Sequence, residues 1–73
     1  MNTTTTAKEA LNTWVKSEEL TAMDTEVLKA IYDSALALII SASEDGDYEL
    51  EARSTHNLNS VARENLRRYL LNK

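Results

Sequence analysis

The chain has 73 residues with no cysteine, no proline and one glycine, and it carries a formal charge of −4 at pH 7. That length makes one domain with a barely sufficient core, and without thiols neither a disulfide nor a thiolate metal site can supplement it. No apolar run approaches a membrane span, and the start MNTTTTAKEA lacks the basic and apolar regions of a secretory signal, so a cytoplasmic protein with no membrane contact is expected.

Residues 1–5 have no apolar side chain beyond Met1 and are expected to form a disordered tail ahead of a single helical domain, 6–73. Thr6 followed by Glu9 has capping-box spacing, and Ala7, Ala10, Leu11, Trp14 and Val15 share one helical stripe. A first helix over 7–17 follows, anchored by Trp14. Thr21 and Asp24 repeat the capping device. The steps of three and four through Val27, Leu28, Ile31, Ala35, Leu38, Ile39 and Ala42 then predict a central helix over 22–41. Leu36 and Ile40 widen its stripe, so this helix is expected to be contacted from two sides.

From Ser43 to Asn57 the helical pattern lapses into a segment that reads as irregular. It holds Gly46 and five carboxylates in eight residues, Glu44, Asp45, Asp47, Glu49 and Glu51. Tyr48, Leu50 and Ala52 alternate with Glu49, Glu51 and Arg53. This leaves room for an α+β alternative with a short hairpin around Asp45-Gly46. Asn57, with Thr55 and Asn59 as competitors, is placed to cap a last helix over 58–71, whose apolar face is Leu58, Val61, Ala62, Leu66, Tyr69 and Leu70. The favoured fold is all-α, a small three-helix bundle interrupted by the acidic 43–57 segment.

The inventory argues against an enzyme and gives no catalytic or metal-binding residue. His56 is the only histidine, too few for a zinc site, and it reads as a solvated loop residue. No glycine-rich loop can cradle a phosphate, so no cofactor is expected. The carboxylate run lacks the alternate-position ligands of a calcium loop.

Charge is divided along the chain. Residues 1–52 hold three basic and eleven acidic side chains, a balance of −8, whereas 53–73 hold five basic and one acidic, a balance of +4. Arg63 and Arg67, one turn apart, suit a phosphate backbone. An acidic protein is nevertheless repelled by nucleic acid at long range, so no direct sequence-specific binding is expected.

The candidate partner-binding residues are Glu44, Asp45, Asp47, Tyr48, Glu49, Leu50, Glu51 and Arg53 of the acidic segment, with Arg63 and Arg67 of the last helix. An aromatic among charges has the composition of a binding hot spot. In its brevity, its lack of cysteine and proline, its Thr- and Asn-rich ends and its missing catalytic set, the chain resembles small acidic phage proteins that redirect host machinery. It is most similar to the regulators that bind host RNA polymerase, and the resemblance implies RNA polymerase as the partner, in the host cytoplasm. Two other readings stand beside it, an acidic mimic of nucleic acid that inhibits a DNA-binding enzyme, and a self-associating module sharing the seam of its central helix.

Overall fold

A computed structural model describes residues 10–72. Among them are three helices and no strand, α1 (Ser17–Thr21), α2 (Thr25–Asp45) and α3 (Tyr48–Leu71), and residues 10 and 11 are also helical. The expected all-α, three-helix architecture is the one observed, with different boundaries. The expected tail at 1–5 and the Thr6–Glu9 cap lie outside the described residues.

The irregular 43–57 segment is corrected most strongly, because both long helices run through it. Helix α2 continues to Asp45, Gly46 caps it in the left-handed region at φ +72°, and Asp47 already caps α3. Two hydrogen bonds close the turn, from the Gly46 N–H to the Ser43 carbonyl (3.3 Å) and from the Asp47 N–H to the Ala42 carbonyl (2.9 Å). This is the Schellman pairing, which satisfies carbonyls that a helix end otherwise leaves free. Asp47 Oδ1 then accepts the Leu50 N–H at 3.2 Å, satisfying one of the free donors of the next helix. A two-residue joint replaces the expected loop, and the hairpin alternative falls with it. The two-residue alternation of Tyr48, Leu50 and Ala52 is a coincidence of composition inside the first turns of α3.

The other boundaries move for equally local reasons. Asn57 caps nothing: it lies fully buried in the middle of α3. Thr21 does not cap α2, because its hydroxyl turns back to donate to the Ser17 and Glu18 carbonyls (3.3 and 2.8 Å), closing α1; Asp24 takes the cap position of α2. The expected helix over 7–17 has already ended at Leu11. Trp14 and Val15 belong to an extended connection, and α1 starts beyond them, with the Glu19 carboxylate accepting the Lys16 N–H at 2.9 Å.

Helices α2 and α3 form an antiparallel hairpin. Residues 10–24 lie across one of its faces, and the core forms between the two: Ala10, Val15, Leu20 and Met23 from the covering segment meet Leu28 and Ile31 of α2 and Val61 of α3. Leu11, Val27 and Tyr32 pack at its edge. The result is a slab of 39 × 33 × 17 Å, in which the described residues supply a covering layer on one side of the hairpin.

Candidate functional site

The covered face of the hairpin is fastened by polar groups. Asn57 Oδ1 accepts the Val15 N–H (3.1 Å), while Nδ2 donates to the Thr13 carbonyl (2.9 Å) and more weakly to that of Ala10 (3.4 Å). One amide side chain thus satisfies an extended stretch that has no helix or strand of its own to do so. Arg53 Nε donates to the Leu11 carbonyl at 3.2 Å. His56 Nε2 stands 2.9 Å from the Val15 carbonyl. Since a carbonyl only accepts, that nitrogen carries the proton. Trp14 is not the core anchor expected of it. Half of its surface is exposed, and its ring tilts against the His56 ring with centroids 5.2 Å apart. His56 is accordingly a half-buried fastening residue and not a solvated loop histidine.

A second fastening closes the far end of the same face. The buried Glu64 accepts from Arg67 through Nε and Nη2 (3.0 and 2.7 Å) and from Arg68 Nε (2.7 Å). Arg68 in turn donates to the carbonyls of Met23 (2.6 Å), Leu20 (3.0 Å) and Thr21 (3.4 Å) and to Thr25 Oγ1 (3.1 Å), supplying donors where α1 ends and α2 has not begun. The hydrogen bond from Arg67, aided by that from Arg68, outweighs burial and holds the Glu64 carboxyl at about 2, against an ordinary 4.5. The same contact raises Arg67.

The predicted partner-binding residues therefore separate into groups. Arg53 and Arg67 have their guanidinium groups committed within the fold. Arg63 is exposed beside a cleft that it lines with Ser17, Leu20, Thr21, Ser60, Glu64 and Arg67. The remaining seven gather at the joint between α2 and α3. Glu44, Asp45, Asp47 and Glu49 are exposed, Leu50 and Glu51 are half-buried, and Tyr48 keeps 80% of its surface in solvent. No basic side chain pairs with these carboxylates among the described residues, where the ion pairs join Glu64 to Arg67 and Arg68. Glu49 and Glu51 lie in the first turn of α3, where the helix dipole favours them. Glu44 and Asp45 lie in the last turn of α2, where the dipole opposes negative charge and no basic residue offsets it. Among the described residues no group of three or more His, Asp or Glu side chains is placed to hold a metal ion, and no helix is long and apolar enough to cross a membrane.

One further surface lies outside the candidate partner-binding residues, although a self-associating module sharing the seam of the central helix is among the expected readings. Tyr32, half-buried at the edge of the core, Leu36 and Ile40 succeed one another at four-residue steps on α2, and Leu58, Ala62, Leu66 and Tyr69 follow at steps of four, four and three on α3. On α3 this stripe is rotated away from Arg53, His56, Asn57, Ser60 and Glu64, which face the covering layer, so it occupies the hairpin's other face. Leu36, Ile40, Leu66 and Tyr69 are 40, 62, 56 and 63% exposed. Lys29, Tyr32, Asp33 and Asn65 line a shallow groove along it. The breadth of the α2 stripe led to the expectation of contact from two sides, which α3 and the covering segment supply; Leu36 and Ile40 lie outside both contacts.

Comparison with known protein families, with curated proteins and with solved structures returned no match.

Proposed function

We propose that this chain is a non-catalytic interaction protein that docks on a basic surface of a larger protein complex through the α2–α3 joint. The observation that carries this reading is the joint itself: an aromatic ring held in solvent among unpaired carboxylates, two of them kept at a helix end that disfavours them. Carboxylates at a helix C-terminus lower stability by roughly 0.3–1 kcal/mol each, a cost that a cationic partner would reverse. Because Gly46 and Asp47 lock the two helices together, the Tyr48 ring and the charges around it are presented on rigid backbone, and little ordering entropy opposes docking.

RNA polymerase is the specific partner proposed, on the strength of the resemblance in overall character to phage regulators. Occupying a basic site on the polymerase would act by steric competition, without chemistry. The test is affinity capture from a bacterial lysate with the wild-type chain, with Tyr48→Ala, and with Glu44, Asp45, Asp47 and Glu49 changed together to Lys. Recovery of RNA polymerase by the wild type, and its loss with both variants, supports the reading. Recovery of no polymerase sinks the specific version. Recovery that survives the charge reversal moves the docking surface away from the joint.

A further inference from the structure

We propose that the uncovered face of the hairpin is a self-association surface, on which a second copy of this chain packs with its α2 antiparallel to the first across a two-fold axis at Leu36. This inference shares Glu44 with the partner surface proposed above and otherwise uses a different face.

The choice of occupant follows from the symmetry of the exposed stripe. A two-fold interface brings each residue against the position reflected through the axis, so a self-complementary surface must read compatibly in both directions. Centred on Leu36, the α2 stripe does so. Tyr32 and Ile40 stand four residues before and after it, and each would lie against the other on the second copy. Farther out, Lys29 stands seven residues before Leu36 and Glu44 eight after, so the same register sets lysine beside glutamate at both ends. Both side chains are exposed, and neither has an ion-pair partner among the described residues.

Charge also decides the orientation. A parallel arrangement would bring two joints with five carboxylates each to the same end, which repels. The antiparallel one sets each acidic joint beside the opposite end of the other α2, where Lys29 lines the groove together with Asp33, while Arg63 lies on the covered side. The unpaired carboxylates Asp45, Asp47 and Glu49 fall outside the stripe and stay available to another partner.

The size is adequate. Helix α2 has 21 residues, about 31 Å at 1.5 Å each, and two packed helices present a face roughly 20 Å wide. About 600 Å² per copy would be covered, roughly 1,200 Å² in total, the lower bound of stable specific interfaces. Among the described residues the covering layer lies on one side of the hairpin, within a slab 17 Å thick, and a second copy would give the hairpin its other layer.

Sedimentation velocity across a concentration series, with far-UV circular dichroism to verify folding, tests this on the full chain. The wild type is expected to pass from monomer to dimer in the micromolar range. Ile40→Glu, at an exposed position, should stay monomeric at least tenfold above that range with unchanged helicity. Lys29→Glu or Glu44→Lys alone should weaken the dimer about tenfold, and the two together should restore it. A wild type that remains monomeric at several hundred micromolar overturns the proposal. So does a dimer indifferent to Ile40→Glu, or a double charge exchange that weakens association further instead of restoring it.

Discussion

The two faces of the α2–α3 hairpin are built on opposite principles. One is covered by residues 10–24 and fastened by side chains that satisfy backbone groups, Asn57 and Arg53 at one end, Arg68 with Glu64 at the other. The other is apolar, broad and bare, with Leu36, Ile40, Leu66 and Tyr69 in solvent. A covering segment too short to form long helices must have its polar backbone satisfied from outside, and the hairpin does this with polar residues in the middle of a helix. A face that will meet another preformed helical surface needs no such groups, because helices satisfy their own backbones. The contrast separates the fastened face, whose contacts stabilise the fold, from the bare face and the joint, for which recognition is the role proposed.

Asn57→Ala should show the largest effect. It removes the partner of the buried Val15 N–H and of the part-buried Thr13 carbonyl together, a loss of about 3 kcal/mol. Thermal unfolding should fall by more than 10 °C on the usual scale of roughly 4–8 °C per kcal/mol for small domains.

Glu64 comes next, and pH reports it. Its carboxyl titrates near 2 in the fold and near 4.5 without its partners, so between those values the unfolded chain binds the extra proton. The stabilisation is complete above about pH 5 and is lost as the pH falls toward 2. Because Arg67 is half exposed, solvent reduces the contribution to about 2 kcal/mol. Urea unfolding at pH 6 and pH 3 should show a difference of that order in the wild type, most of it absent in Glu64→Gln.

Gly46→Ala should cost less, about 1–2 kcal/mol, because a Cβ at that position meets nothing within 4 Å and only the left-handed backbone opposes it. Differential calorimetry at neutral pH would resolve that shift.

The smallest effect belongs to the bare face. Ile40→Ser, at the more exposed position and measured below the concentration of association, should change unfolding by no more than about 0.5 kcal/mol. Large losses there would mean that this face contributes to the monomer's core after all.

The helical class was legible in the sequence because the three-four seam of α2 and the capping residues agree with the packing. Its principal misreading, the irregular acidic segment, arose because a glycine and five carboxylates resemble a loop when each residue is weighed singly. Taken in pairs they encode a helix stop followed at once by a helix start: Gly46 supplies the left-handed cap and Asp47 the next N-cap. The fastening roles of Asn57, His56 and Arg68 were not legible, since each contacts residues 41 to 48 positions away, and local patterning carries no trace of such pairings. The acidic joint was legible as a candidate site from composition, but the bare face was hidden inside an apolar stripe that looked like core.

The division between a fastened and a bare face is tested most directly by cysteine cross-linking, for which a chain without cysteine is well suited. Leu36→Cys lies on the proposed two-fold axis, and Lys16→Cys lies exposed on the covering segment. Under mild oxidation at micromolar concentration, Leu36→Cys is expected to form a covalent dimer rapidly and nearly completely, while Lys16→Cys stays monomeric. Equal rates for the two, or no dimer from Leu36→Cys, would contradict the assignment of the bare face to a second copy.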